Sequence, residues 1–292
     1  MYTDILGKKR MKLGLHIHTT MSDGRRTPEQ VVQLYREAGY DAIAITDHWR
    51  WNGSGKINGL RIISGAEYNI GGQDTNGSGV FHLVALGAKE EPQITDKTDP
   101  HNIINAVKAA GGQVVLAHPA WSLNTVEHFK SLNTVFATEI YNTVSGLHAS
   151  NRPDSSAIVD LAANAGCIYP LLATDDAHYY DGDQCVSYIM LDVTDGKTSD
   201  ADILRKISMG QFYASQGPEV HMTHRDDGVV EVKCSPASRI SFYSQTAWTA
   251  ERNTWGENLT YAEYHPNEYE KWLRAEVTDA DGKRAWSNII TF

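Results

Sequence analysis

Short apolar runs alternate with amphipathic segments along the first 218 residues of the chain. The apolar runs occupy residues 12–18, 41–46, 60–64, 80–86, 113–117, 135–141, 168–174 and 186–193, and they have the length of buried strands. Segments with helical spacing lie at 31–38, 102–110, 154–165 and 201–209, and the first follows the capping sequence Thr27-Pro28-Glu29-Gln30. This alternation predicts parallel strands covered by helices, in a βα barrel or an open α/β sheet.

The pattern changes after residue 218. Short stretches with period-two alternation lie at 229–233, 240–243, 272–278 and 285–292, and Asp281-Gly282 is a hairpin signal between the last two. No convincing long helix is predicted there, although residues 261–273 are ambiguous. We therefore expect a barrel domain over residues 1–218 and a small antiparallel, sandwich-like β domain over residues 219–292 that packs on it.

Histidines and acids lie in or directly after the apolar runs of the first domain. The nine candidate metal ligands are His16, His18, Asp23, His48, Glu67, His82, His118, Asp176 and His178. Nine ligands exceed the needs of one divalent ion and suit a cluster of two or three ions. The carboxyl ends of barrel strands converge on one face, whereas those of an open sheet spread along a line. The ligands therefore favour a closed or nearly closed barrel and a metal-dependent hydrolase.

Some of these residues also have ordinary structural interpretations. Asp23 beside Gly24 is a turn signal, and His82 inside an apolar run is typical of a hydrogen-bonded core histidine. The joint pattern favours metal binding, because independent core histidines would not collect at strand ends. The other histidines are expected at the surface: His101, His128, His148, His221, His224 and His265. A Gly- and Asn-rich loop is predicted at residues 71–79, near the mouth of the barrel.

The composition is that of a globular protein with an acidic balance. The 292 residues are 41% hydrophobic and 21% charged, and the formal net charge is −10. This charge argues against nonspecific nucleic-acid binding, although three divalent ions would bring it to about −4. No apolar leader and no run of about 18 apolar residues occurs, so we expect a cytoplasmic protein without a membrane partner. Cys167, Cys185 and Cys234 are expected to be packing residues, since they form no disulfide framework or Cys-x-x-Cys pattern.

Together the ligand segments resemble the PHP family, named for polymerase and histidinol phosphatase. The motifs are His16-Ile17-His18 with Ser22-Asp23-Gly24, Thr46-Asp47-His48, His118-Pro119 and Asp176-Ala177-His178, with Glu67 and His82 between them. The resemblance covers about residues 12–218 and implies an α/β fold, a distorted (β/α)7 TIM-like barrel with two or three zinc, manganese or iron ions. It also implies three ligand sets: His16, His18, Glu67 and Asp176; Glu67, His82 and His118; and Asp23, His48 and His178.

The function that we predict is hydrolysis of a small phosphorylated metabolite, a phosphomonoester or nucleotide, by a metal-bridging hydroxide at a trinuclear site. Arg25, Arg26 and Arg152 are candidate phosphate-binding residues, because a guanidinium can grip two oxygens. Arg152, Glu139 and Asp47 are the candidate catalytic residues. Three roles are open for Glu139: an extra metal ligand, a base beside the ligands, or the ion-pair partner of an arginine. Two are open for Asp47: an acid that orients an imidazole, or a solvated acid in a loop.

Two other functions remain open on the sequence. The stretches 139–142, 175–179 and 212–215 also resemble a narrower branch that carries a C-terminal β domain and includes enzymes similar to carbaryl hydrolases. That resemblance implies an ester or carbamate hydrolase, for which Trp49, Trp51 and Trp121 could form an apolar slot. The second alternative is a non-catalytic, metal-containing binding protein. A nucleic-acid polymer is disfavoured as the substrate, and the sequence does not fix the oligomeric state.

Overall fold

The computed structural model of the chain describes residues 1–72, 79–147 and 150–292. The strands are β1 (Tyr2–Thr3), β2 (Lys9–Gly14), β3 (Ala42–Ala44), β4 (Gly55–Ile57), β5 (Leu60–Ile63), β6 (Gly65–Ile70), β7 (Phe81–Leu86), β8 (Gln113–Leu116), β9 (Ala137–Asn142), β10 (Leu171–Thr174), β11 (Tyr188–Asp192), β12 (Phe212–Ser215), β13 (Val220–His224), β14 (Val230–Tyr243), β15 (Asn253–Tyr264), β16 (Trp272–Thr278), β17 (Arg284–Trp286) and β18 (Ile290–Thr291). The helices are α1 (Pro28–Glu37), α2 (Pro100–Ala109), α3 (Val126–Ser131), α4 (Ser156–Asn164) and α5 (Asp200–Ser208), with a 3₁₀ turn at Val144–Gly146. Most of the predicted loop at 71–79, and the whole of His148, lie outside the described residues.

The local sequence signals account for most helix boundaries. Thr27 caps α1 and Gln30 reaches back to the Thr27 backbone, which completes the predicted capping box. The helix α3 was not predicted from the sequence. It has only six residues and one buried side chain, Phe129, and so short a segment shows no helical period.

The strands form two sheets that mix parallel and antiparallel pairs. One has 13 strands and contains β2, β3 and β5 as parallel neighbours, and the other has the order β10-β9-β8-β7-β6. The prediction of parallel strands is wrong for β7, which runs antiparallel to β6 and β8, and for β11, which runs antiparallel to β2 and β12. Ten residues separate β6 from β7, fewer than a helical crossover between parallel strands requires, and no described helix separates β10 from β11.

The architecture is mixed α/β, but the closed seven-stranded barrel is not confirmed. Within the described ranges the ladders form no closed sheet. Instead, isolated bridges connect segments that follow strands of one sheet to the other side of the fold, between Ile17 and Ala177, between His48 and Glu67 of β6, and between Asn52 and Gly65 of β6. The first is made by His18 N donating to Ala177 O at 3.0 Å and Asp176 N donating to His16 O at 2.9 Å. These bridges, rather than a continuous barrel wall, bring ligand segments of the two sheets together.

The C-terminal strands continue the larger sheet across the boundary predicted at residue 218. β17 pairs with β12, and β12 pairs with β11. The predicted strands 229–233 and 240–243 are parts of the single strand β14, and the ambiguous segment 261–273 is divided between the end of β15, a loop and the start of β16. The predicted hairpin at Asp281-Gly282 is confirmed, since β16 and β17 pair antiparallel on either side of it. The division into two domains stays a prediction.

The junction between the C-terminal strands and the rest of the fold is well packed. Trp286 of β17 is fully buried in the same hydrophobic core as Leu13, Leu172 and Leu191. Arg274 of β16 binds Asp160 of α4 through Nε and Nη2, at 2.7 and 2.8 Å. Within the ranges 1–72, 79–147 and 150–292, no helix is both long and apolar enough to cross a membrane.

Replacing Trp286 by alanine should lower the free energy of unfolding by about 3–5 kcal/mol, the usual range for removing a buried aromatic side chain. Its indole is fully buried, stacks on Tyr141 and donates to Glu276 Oε2 at 3.0 Å. Trp255→Ala is the matched control, because Trp255 is 69% exposed. Urea unfolding followed by circular dichroism measures both variants, and equal midpoints for the two would contradict the shared core.

Candidate metal centre

All nine predicted metal ligands converge on one site. Their donor atoms fall into three groups, in each of which the atoms lie within 4.8 Å of one another. The groups are His16, His18, Glu67 and Asp176; Glu67, His82 and His118; and His18, Asp23, His48 and His178. They agree with the three sets implied by the PHP resemblance, except that His18 also joins the third group. Glu67 and His18 therefore connect the groups into one cluster.

The centre of this cluster contains buried polar atoms without hydrogen-bond partners. Five of its buried atoms have no hydrogen-bond partner among the described residues: His16 Nε2, His18 Nε2, His48 Nδ1, Glu67 Oε2 and Asp176 Oδ1. The nitrogen–oxygen distances among these atoms are 3.0 to 3.2 Å, for example 3.0 Å between His18 Nε2 and Glu67 Oε2. None of these contacts has the geometry of a hydrogen bond. Unpaired buried polar atoms are costly, and coordination of a cation removes that cost. Imidazole and carboxylate donors in this arrangement fit zinc, manganese or iron.

Outer partners fix the orientation of several imidazoles. His16 Nδ1 lies 2.8 Å from Glu139 Oε1, and His118 Nδ1 lies 3.1 Å from Ser122 Oγ. His18 Nδ1 has a longer contact of 3.4 Å with Ser22 Oγ. Such contacts at Nδ1 leave Nε2 free to face an ion, as is usual for metal-binding histidines.

The backbone is strained where the ligand segments leave their strands. His118 and Asp176 have φ values of 27° and 53°, and Trp49, directly after His48, has a φ of 54°. Non-glycine residues seldom adopt these angles, and such strain concentrates at functional sites. Gly24 is required for a different reason, since a Cβ there would lie 2.5 Å from His18 O. This close approach folds the segment carrying Asp23 back over His18.

Electrostatic coupling dominates the ionisation of the cluster. Burial alone would lower the pKa of His18, but the carboxylates of Asp176 and Glu67 outweigh it and raise that pKa to about 9. The pKa of His16 is raised well above its usual value by Asp176, Glu67 and Glu139, against the same effect of burial. Burial would raise the pKa of Glu67, yet the surrounding imidazoles hold it well below its ordinary range. Without ions, carboxylates and protonated imidazoles must therefore balance one another.

The candidate ligands differ in their exposure to solvent. The side chains of His16, His18 and Glu67 are at most 1% exposed, whereas that of Asp23 is 55% exposed. His48, His178 and His82 are partly exposed. Asp23 and these three rings are therefore the candidate ligands that solvent reaches, whereas His16, His18 and Glu67 are buried.

The predicted catalytic acids have structural partners. Glu139 is buried and binds His16, the His118 backbone and Asn142 rather than an arginine. Asp47 is also fully buried, so it is not a solvated loop acid. It accepts hydrogen bonds from the backbone and hydroxyl of Thr19, and from the side chains of Ser22 and Asn52. It therefore holds the loop that follows His18.

The predicted phosphate-binding arginines are all exposed. Arg25 lies beside the cluster, because its backbone N donates to His178 O at 2.8 Å and its guanidinium lies 4.8 Å from the ring centroid of Tyr179. The Arg26 carbonyl accepts from Thr20 N, and the Arg152 backbone donates to Ser145 O at 2.8 Å. Of the three, Arg25 has the contact nearest to a candidate ligand.

Some residues around the cluster were not selected from the sequence. Ser22 and Ser122 each lie four residues after the histidine that they contact, and this repeated spacing is a signal that could have identified them. Asn142 Nδ2 donates to Glu139 Oε2 at 2.8 Å and to Asp176 Oδ2 at 3.2 Å. Its position three residues after Glu139, at the same strand end, is a weaker signal.

A fourth group of possible ligands lies elsewhere, at Asp4, Glu219 and His221. The expectation of a surface His221 is wrong, since it is only 8% exposed. Arg10 Nε donates to Asp4 Oδ2 at 2.7 Å, and His221 Nε2 lies 3.1 Å from Glu219 Oε2. The Arg10 guanidinium supplies positive charge to Asp4, and Glu219 also accepts hydrogen bonds from Tyr2 Oη and Ile5 N. The group thus ties the N-terminal segment to β13.

Comparison with known proteins supports the sequence resemblance. The family model described as PHP domain matches residues 14–113, which include six of the nine candidate ligands. The chain carries a PHP domain. The three remaining candidates, His118, Asp176 and His178, lie beyond the matched residues of the PHP domain but inside the same cluster.

Similar proteins cover the chain to different extents. The chain is 32% identical over 82 residues to a phosphoribosyl 1,2-cyclic phosphate 1,2-diphosphodiesterase of Eggerthella lenta, with 26% of this chain and 30% of that protein covered. It is 41% identical over 71 residues to a PolC-type DNA polymerase III of Oceanobacillus iheyensis, with 22% of this chain and 5% of the polymerase covered. The chain therefore spans less than a third of the length of either relative.

One solved structure resembles the whole chain. It is a two-domain protein of Bacteroides vulgatus, described as containing a predicted PHP-like metal-dependent phosphoesterase. The TM-score is 0.57 at 15% identity, and the match covers 100% of this chain and 97% of that one. At this identity the similarity concerns the fold, which includes the strands that follow the PHP domain.

Metal uptake by the metal-free protein should release protons, and affinity should rise with pH. His18, with a pKa of about 9, and His16, with a raised pKa, are protonated at neutral pH and must lose those protons to bind an ion. Affinity for Mn²⁺ should therefore increase between pH 6.5 and 8.5. Titration calorimetry in buffers of different ionisation enthalpy measures both effects, and pH-independent binding without proton release would contradict this charge balance.

Glu139→Gln should weaken binding of the ion beside His16 by about 10- to 100-fold, the usual effect of losing an outer partner of a metal ligand. Glu139 Oε1 faces His16 Nδ1, and Oε2 accepts from His118 N and Asn142 Nδ2. In either orientation of a glutamine side chain, its NH2 group would face a hydrogen-bond donor instead of accepting from it. Competition with a chelating dye measures the change. Glu127→Gln, at a side chain 77% exposed, is the control and should keep wild-type affinity.

Proposed function

We propose that the protein is a metal-dependent phosphoesterase that hydrolyses a small phosphorylated metabolite, a phosphomonoester or a nucleotide, at a site for three divalent ions. The observation that carries the proposal is the set of three adjoining groups of candidate ligands, which Glu67 and His18 connect and whose inner atoms have no hydrogen-bond partner among the described residues. When bound, divalent ions neutralise phosphoryl oxygens and lower the pKa of a bound water to near neutrality.

The side chains of the chain divide the remaining work among them. Glu67 offers Oε2 towards His16, His18 and His48, and Oε1 towards His82 and His118, so its carboxylate is suited to bridging neighbouring ions. The exposed Asp23 and its neighbours leave an open side for a phosphate. This openness favours catalysis over a purely structural site, because structural metal sites are closed.

Arg25 is the best candidate for contacting the phosphate. Its backbone is bound to His178 at the open side, and its guanidinium is exposed above Tyr179. A guanidinium there would complement an anionic substrate. The diphosphodiesterase name of the E. lenta relative supports phosphate-ester chemistry, and the net charge of −10 favours a small substrate over a nucleic-acid polymer.

An ester or carbamate hydrolase is the second candidate, and one observation favours it. Trp121 is 37% exposed, and its ring centroid lies 4.9 Å from that of His118 and 5.3 Å from that of His82. An exposed indole beside candidate ligands could hold an apolar or aromatic leaving group. The same indole would also suit an aryl or nucleoside phosphate, so the substrate panel below separates the candidates.

A panel of phosphomonoesters, phosphodiesters, nucleotides, aryl carbamates and aryl esters, each assayed with manganese, zinc and iron, tests the proposal. Phosphate esters should be cleaved, and Asp176→Asn should lower kcat/KM by more than about 100-fold, since it removes a candidate ligand rather than an outer partner. Asp281→Asn, in the exposed β16–β17 turn, is the control and should retain activity.

Two results would count against this function. Cleavage of carbamates or carboxylic esters with no phosphate-ester turnover would favour the second candidate. Binding of ions without hydrolysis of any compound in the panel would favour a non-catalytic metal-containing protein.

A further inference from the structure

Arg284 belongs to the C-terminal strands but contacts the part of the fold that carries the metal centre. Its Nη1 binds Asp154 Oδ2, and it lies 3.5 Å from Glu276 Oε1. Its guanidinium also lies over two rings, 5.1 Å from the centroid of Tyr141 and 5.0 Å from that of Trp286. The stacked guanidinium and the ion pair together fix Asp154 against β17.

Asp154 is in turn joined to the end of β9. The residues on either side of it pair with that strand, as Asn142 N donates to Pro153 O at 3.0 Å and Ser155 N donates to Ile140 O at 2.9 Å. The resulting bridge between Tyr141 and Asp154 is isolated and belongs to no longer ladder. Arg284 adds a side-chain contact that anchors this short bridge to β17.

The end of β9 contacts three candidate ligands. Asn142 Nδ2 donates to Asp176 Oδ2 and Glu139 Oε2, and Glu139 accepts from His118 N and contacts His16 Nδ1. The other end of the Asn142 amide is also fixed, since Oδ1 accepts from Ser145 N at 3.1 Å and from Ser145 Oγ at 2.8 Å. Asn142 can therefore neither rotate nor shift without releasing Asp176 and Glu139.

The same connection reaches a candidate substrate-binding residue. The carbonyl of Ser145 accepts from Asn151 N at 2.9 Å and from Arg152 N at 2.8 Å. Movement of the segment from Arg152 to Ser155 would disturb both the Arg152 backbone and the orientation of Asn142.

We propose that Arg284 is a positioning residue for the metal centre: through Asp154 it holds the end of β9, and so keeps Asn142 and Glu139 directed at Asp176 and His16. This gives the C-terminal strands a role in ion binding at the PHP domain. The role in ion retention stands on contacts alone, whereas any effect on turnover rests on the proposed phosphoesterase function.

The test measures ion retention separately from activity. Arg284→Met keeps most of the apolar contact with Tyr141 and Trp286 but removes the ion pair with Asp154. Mn²⁺-loaded Arg284→Met should release manganese to a chelator about 10-fold faster than the wild type, the lower end of the effect for an outer partner of a ligand. Arg284→Lys, which keeps the charge, should recover part of this loss. Arg225→Met, which removes the exposed ion pairs with Asp227 and Glu263, is the matched control and should release manganese at the wild-type rate.

A second substitution tests the pathway through Asp154. Asp154→Asn should speed release by a similar factor, and the Asp154→Asn, Arg284→Met double variant should be no worse than either single one, since the contact is lost only once. Wild-type release rates in Arg284→Met, or full additivity of the two substitutions, would overturn the proposal even if thermal stability fell. If the wild type binds manganese but cleaves no phosphate ester, the proposed function fails, while the release rates still decide the role of Arg284.

Discussion

The burial of Glu67 is the constraint on which the rest of the site depends. Its Oε2 lies 3.2 Å from His16 Nε2, 3.0 Å from His18 Nε2 and 3.2 Å from His48 Nδ1. Its Oε1 lies 2.7 Å from His82 Nδ1. A fully buried carboxylate among imidazoles is stable only if protons or metal ions supply positive charge. The strand ends, the strained backbone and the outer hydrogen bonds all serve to maintain this concentration of donors.

The geometry of the candidate ligands is maintained by residues outside the ligand set. Asp47 fixes the loop after His18, Glu139 fixes His16 and the His118 backbone, and Asn142 fixes Asp176. Positive φ angles at His118 and Asp176 show that the local backbone does not favour these positions by itself. The strain is tolerated because neighbouring elements over-determine the conformation.

The C-terminal strands are part of this support. They extend the larger sheet through β12 and β17, and they contribute Trp286 to the hydrophobic core that contains Leu13 and Leu172. Arg274 and Arg284 form ion pairs with Asp160 and Asp154, on the segment that follows β9. The similarity of the whole chain to the two-domain protein of B. vulgatus covers these strands as well.

The sequence by itself determined the set of candidate ligands, most helices and strands, and the change of pattern near residue 218. These features depend on side-chain chemistry and local periodicity, which neighbouring residues encode. Only the tertiary structure decided the antiparallel β7 and β11, the isolated bridges between the two sheets, and the joining of β12 to β17. It also decided that Glu139 faces His16 rather than an arginine, and that Arg284 reaches Asp154 across 130 residues. Such contacts join segments far apart in the chain, and no local pattern specifies which distant partner a strand edge or a charged side chain will meet.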